Sequence, residues 1–141
     1  MSKKTPLILG LDFDCTIANV PNFPTIDKFR KGAKYFINKL YDEGHYIIIN
    51  TCRTDAPDYE RWDALNAKLF LKEEGIKFNK FNENHPGLIQ VFNSSSRKLS
   101  CDIYIDDKNL SLFGLPPWWM IYLLVRLKNI TLKKRLLNLI K

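Results

Sequence analysis

Residues 7–13, Leu-Ile-Leu-Gly-Leu-Asp-Phe, form a short apolar run bounded by Pro6 and ending among acidic side chains. An unalternating run of this length reads as a strand buried on both faces, and such strands belong to parallel sheets covered by helices. Tyr46-Ile47-Ile48-Ile49-Asn50 and Asp102-Ile103-Tyr104-Ile105 repeat the pattern, and a shorter strand is expected at residues 76–78. Helical periodicity fills the gaps. Phe29, Ala33, Phe36, Ile37 and Leu40 recur within residues 27–43, and Gly44 stops the pattern. Trp62, Leu65, Leu69 and Phe70 are expected on one face of a helix over residues 59–74, stopped by Gly75, and a further helix is expected near residues 88–92. Strands alternating with helices predict an α/β fold: one Rossmann-like three-layer sandwich with a central parallel sheet and right-handed crossovers. A length of 141 residues, 45% of them apolar and 26% charged, fits a single globular domain.

In sheets of this kind ligands bind beyond the carboxyl ends of the strands. Three of the expected strands end in reactive residues: the first in Asp12 and Asp14, the second in Thr51, Cys52 and Arg53, the last in Asp106 and Asp107. Four carboxylates, a hydroxyl and a guanidinium are therefore expected in one crevice. Carboxylates held together repel, and a hard cation such as Mg²⁺, taken up through carboxylates, water and phosphate oxygens, relieves the repulsion. An aspartate can also act as a nucleophile and form an aspartyl-phosphate, which water then hydrolyses. The planar fork of Arg53 suits a substrate phosphate or carboxylate, or else a structural ion pair.

Asp12-Phe13-Asp14-Cys15-Thr16 resembles the Asp-x-Asp-x-Thr loop of the haloacid dehalogenase (HAD) superfamily, with the hydrophobic strand that precedes it. Thr51 resembles the second-motif Thr or Ser that hydrogen-bonds the phosphoryl group. Lys98 resembles the third-motif lysine, with Lys80 and Lys77 as alternatives, and Asp106-Asp107 resembles the acidic pair that holds magnesium. The resemblance spans residues 7–112, and the run Asn82-Glu83-Asn84 with Ser96-Arg97-Lys98 and residues 104–108 is similar to a group of small bacterial and phage HAD-like hydrolases. It implies a Mg²⁺-dependent phosphohydrolase acting on a phosphomonoester. Asp12 would be nucleophile and metal ligand. Asp14 would be general acid and base, with its backbone carbonyl on the metal. Thr51 and Lys98 would act on the phosphoryl group, and Asp106 and Asp107 would complete the metal site. Thr16, Cys52 and Arg53 are candidate substrate-binding residues. Cys15 stands where many members carry glycine. The gaps after the first motif and between the second and third hold no cap domain, which implies an open site for a large or macromolecular substrate or a site closed by a second copy in a homo-oligomer.

Residues 1–125 are assigned to the hydrolase domain and residues 126–141 to a basic amphipathic helix packed on it. Six of the 22 Lys and Arg lie in that tail, which has no acid, so the net charge of +7 belongs almost wholly to it. The tail reads as a final core helix with a solvated basic face or a self-association surface. Contact with an anionic membrane or with nucleic acid is the alternative. Two rival functions follow: a polynucleotide end phosphatase that uses the tail, and a HAD-like binding module without turnover. Cys15, Cys52 and Cys101 have no Cys-x-x-Cys spacing, which fits a reducing, cytoplasmic setting without a zinc site. Cys15 and Cys52 each follow a motif residue and are expected near one another.

Overall fold

The computed structural model describes residues 6–139, with side chains described through residue 132. The side chains of Lys133, Lys134, Arg135 and Lys141, part of the basic tail, lie outside the described residues. Strands β1 (Ile8–Leu11), β2 (Tyr46–Ile49), β5 (Lys80–Phe81) and β6 (Ile103–Ile105) form a parallel sheet in the order β5-β2-β1-β6. Helices α1 (Ala33–Asp42), α2 (Asp63–Glu73), α3 (Pro86–Phe92) and α4 (Trp118–Leu139) accompany it, giving a single Rossmann-like α/β domain. A small antiparallel hairpin, β3 (Asp55–Ala56) with β4 (Arg61–Trp62), sits between β2 and α2 around the 3₁₀ turn Pro57–Tyr59.

β1 lies inside the sheet: Leu9 is opposite Ile47 and Ile103, and Leu11 is opposite Ile49 and Ile105. These residues bury their side chains against Ile37 and Leu40 of α1, Ala67 and Leu71 of α2, and Ile121 and Val125 of α4. Gly10 is required by packing, because a Cβ there would stand 2.9 Å from Cys101 Sγ and 3.3 Å from Tyr104.

Three sequence expectations shift. The strand expected at residues 76–78 forms instead at Lys80–Phe81. Ile76 is buried as a core plug. The sheet edge is continued by the Asn79 and Asn82 side chains, which accept from Ile47 N–H at 2.7 Å and Thr51 N–H at 2.8 Å. α1 begins at Ala33 rather than near residue 27. Gly32 takes a left-handed φ of +82° there, and the preceding chain folds into a loop in which Asn19 N–H meets Lys28 O. The face expected for α2 is also wrong. Asp63, Ala67 and Leu71 point inward, while Trp62, Leu65 and Leu69 are exposed. Apolar residues lie almost all round this helix, so its phase is set by how the hairpin enters it and by the ion pair of buried Asp63 with Arg61. Only Phe70 of the expected set reaches the core, packing edge-on against Phe13 and Phe29.

α4 runs without a break across residues 125 and 126. Among the described residues, no helix is long and apolar enough to cross a membrane.

Candidate functional site

The chain leaves β1 for β2 and β5 on one side and returns to β6 on the other, so the order reverses between β1 and β6. A crevice opens at such a switch point, beyond the carboxyl ends of the two strands. Its walls are Asp12, Asp14, Cys15, Asn50, Thr51, Cys52, Asp106, Asp107 and Lys108, around a volume of about 430 Å³. A larger groove of about 900 Å³ runs along α1, but it gathers no comparable set of carboxylates.

The register of the sheet brings the acids together. Leu11 pairs with Ile105, and Asp12 N–H donates to Ile105 O at 2.9 Å, so Asp12 and the Asp106-Asp107 pair leave adjacent strands side by side. Asp12, Asp106 and Asp107 each offer a carboxylate oxygen within 4.8 Å of the others. This is a grouping able to hold a hard cation. Burial, reinforced by the facing charge of Asp106 and partly offset by hydrogen bonds from Thr16 and the Phe13 backbone, pushes the Asp12 carboxyl up to about 7.

Thr16 ties the two loops together. Its hydroxyl donates to Asp12 Oδ2 at 3.1 Å and accepts from Asp107 N–H at 3.0 Å. Its carbonyl accepts from Trp118 Nε1 at 3.0 Å, which fixes the start of α4 to the same loop. Thr16 is fully buried, so it orders the acids and does not meet a substrate as expected from sequence. Between them, Cys15 adopts a left-handed φ of +59° where the chain turns back, with Cys15 N–H on Ala18 O at 2.8 Å. That conformation disfavours a side chain and suits glycine.

Arg53 is likewise redirected. It is 1% exposed, and its guanidinium grips Asp14 through Nε (3.0 Å to Oδ1, 3.1 Å to Oδ2) and Nη2 (2.7 Å to Oδ1). Nη1 donates to Pro24 O at 3.0 Å, and the group is flanked by the rings of Phe13 and Phe23. Arg53 is therefore committed to an ion pair and not to a substrate. Thr51, nearly buried, accepts from Arg53 N–H at 3.2 Å and lies 3.5 Å from Asp14 Oδ2, so Asp14 is held from two sides while still lining the crevice.

Lys98 does not reach the site. It is exposed, with Nζ 5.6 Å from the centre of the Tyr104 ring. Lys80 is paired with Glu83 and Lys77 with Asp42, and neither lines the crevice. Among the described residues, the lysine that does is Lys108, whose Nζ is 3.3 Å from Asp107 Oδ2. That contact, first through the hydrogen bond and then through charge, pushes the Lys108 ammonium above its ordinary pKa. Sequence reasoning also passed over Asn50. Both were within reach, since Lys108 directly follows the acidic pair and Asn50 directly precedes Thr51. Cys15 and Cys52 are exposed free thiols on the same crevice.

No family model and no curated protein sequence matches the chain. A solved structure of a conserved protein from Bacteroides thetaiotaomicron is similar to it: 28% identity over 88% of this chain and 93% of that one, with a TM-score of 0.71. The likeness covers nearly the whole of both chains and supports the Rossmann-like α/β fold.

Proposed function

We propose that the chain is a Mg²⁺-dependent phosphohydrolase of the HAD type, cleaving a phosphomonoester by way of an aspartyl-phosphate on Asp12. The observation that carries this reading is the convergence of Asp12, Asp106 and Asp107 within 4.8 Å, with Asp14 and Thr51 on the same crevice. Three carboxylate oxygens suit a small, hard divalent cation better than a soft one. When bound, Mg²⁺ supplies neutralising charge to the phosphoryl oxygens.

The chain's own residues divide the remaining work. Asp12 attacks phosphorus, and the leaving alkoxide takes its proton from Asp14. Asp14 then removes a proton from the water that releases phosphate from Asp12, a two-step scheme in which one carboxylate serves as acid and then base. The Thr51 hydroxyl offers a hydrogen bond to the transferring group. Lys108 takes the charge-neutralising part that the family resemblance gives to Lys98. Arg53 positions Asp14, and Thr16 positions Asp12 and Asp107. In support of an open crevice, the connection from Asp14 to β2 holds a loop and α1, and the connection from Thr51 to β6 holds the small hairpin, α2, β5 and α3, with no inserted domain among the described residues.

The test is release of phosphate from an aryl phosphate and a set of nucleotides, with and without Mg²⁺, wild type beside Asp12→Asn. The reading expects metal-dependent turnover that drops at least about a thousandfold in the variant. Undiminished turnover in Asp12→Asn would discard it.

A further inference from the structure

From Lys108 to the end of the chain every ionisable side chain is cationic apart from Tyr122, and no Asp or Glu occurs. The same segment carries the most exposed apolar side chains of the described residues: Leu110, Leu112 and Phe113 are 105%, 93% and 95% exposed. They project from a turn that Ser111 closes on itself, with its hydroxyl donating to Gly114 O at 3.0 Å and accepting from Phe113 N–H at 3.3 Å. α4 adds a second apolar surface. Its inner stripe is Trp118, Ile121, Tyr122 and Val125, while Trp119, Leu123, Leu127 and Ile130 recur at helical spacing on the outside, each about half exposed. Asn109 and Leu115, at the two ends of the turn, line a groove with Leu124 and Lys128 on the flank of α4, and half-exposed Leu124 extends the outer apolar face of the helix to that groove.

We propose that this turn and the outer face of α4 together dock on an anionic lipid surface. Apolar tips with no polar partner of their own suit the headgroup and acyl boundary, and Trp119 suits the interface itself. Arg126, which stacks on Tyr122, and Lys128, whose ammonium also donates to Asp102 O at 3.2 Å, are exposed along the flanks of this face and suit anionic headgroups. A second copy fits less well. A two-fold contact through this face would set a segment of purely positive charge against its own image. A nucleic acid fits less well again, because phosphates reward the cations and leave Leu112 and Phe113 without a role. Because Lys108 lines the crevice and Leu110 follows two residues later, docking carries the crevice to the headgroup layer.

The experiment is sedimentation of the full chain with vesicles of phosphatidylcholine alone or mixed with phosphatidylglycerol, wild type beside a Leu112→Ser/Phe113→Ser double variant. The variant changes only solvated side chains, and an unchanged melting temperature confirms its fold. The proposal expects binding to the mixed vesicles, weakening with salt, and a loss of affinity of about tenfold or more in the variant. A chain that stays in the supernatant with both vesicles overturns it, as does a variant that binds like wild type. A wild-type dimer that the variant converts to monomer overturns it in favour of self-association. Retention on an oligonucleotide that matches binding to the mixed vesicles and is indifferent to the variant overturns it in favour of nucleic acid.

Discussion

Asp12 is the residue on which the electrostatics of the site converge. Its carboxyl titrates near 7 in the folded chain against an ordinary value of 3.8, so between those limits the native state holds the proton more tightly than the unfolded state does. Stability must therefore fall as pH rises through that window, with the whole penalty present above it. Thermal melts of wild type and Asp12→Asn in chelator, from about pH 4 to 8, are expected to diverge. The variant gains on wild type as pH rises, and added Mg²⁺ then raises wild type more than the variant. A constant difference between the two across that range would contradict the burial of a strained charge. Arg53 makes a second prediction. Arg53→Lys keeps the charge but loses the fork, so kcat is expected to fall about a hundredfold with KM little changed. A rise in KM alone would return Arg53 to the substrate. The sequence left these two roles open, since nothing in Thr51-Cys52-Arg53 says which way a guanidinium turns; the pocket between Phe13 and Phe23 decides it.

Among the elements, α4 is tied to the candidate site through the Trp118 indole. Trp118 is 1% exposed, and its indole N–H holds the Thr16 carbonyl, whose own hydroxyl holds Asp12 and the Asp107 backbone. Trp118→Phe leaves that carbonyl only the 3.5 Å contact from Arg30. A loss of about 1–3 kcal/mol is expected in denaturant unfolding, together with reduced turnover. Unchanged stability would mean that water replaces the indole without cost. β1 and β2 were legible because strands buried on both faces must be continuously apolar, and no helix of that length could use the pattern; β6, at the sheet edge with Tyr104 exposed, was legible as a short apolar run ending in acids. β5 was not, because two residues and two asparagine side chains do the pairing that an apolar run was expected to do. The inward face of α2 was not legible either: Ala67 and buried Asp63 carry no hydrophobic signal, while Trp62 and Leu69 carry a misleading one.

For the whole molecule, the site follows from the order of the strands. Placing β6 beside β1 sets Asp106 and Asp107 against Asp12, and placing β2 on the other side brings Thr51 to Asp14. That convergence was readable from the strand ends. The lysine was not, because the loop that carries Lys98 is held elsewhere: Asn84 donates to Ser96 O and accepts from Ser100 N–H. The claim that unites fold and site is covalent chemistry at Asp12, and peptide mass spectrometry after acid quenching tests it most directly. With Mg²⁺ and an aryl phosphate, the account predicts one phosphoryl group on the peptide containing Asp12. It is labile to hydroxylamine, accumulates in Asp14→Asn where water is no longer activated, and is absent in Asp12→Asn. Turnover that proceeds with no phosphoryl group on that peptide, or with one on another residue, would contradict it.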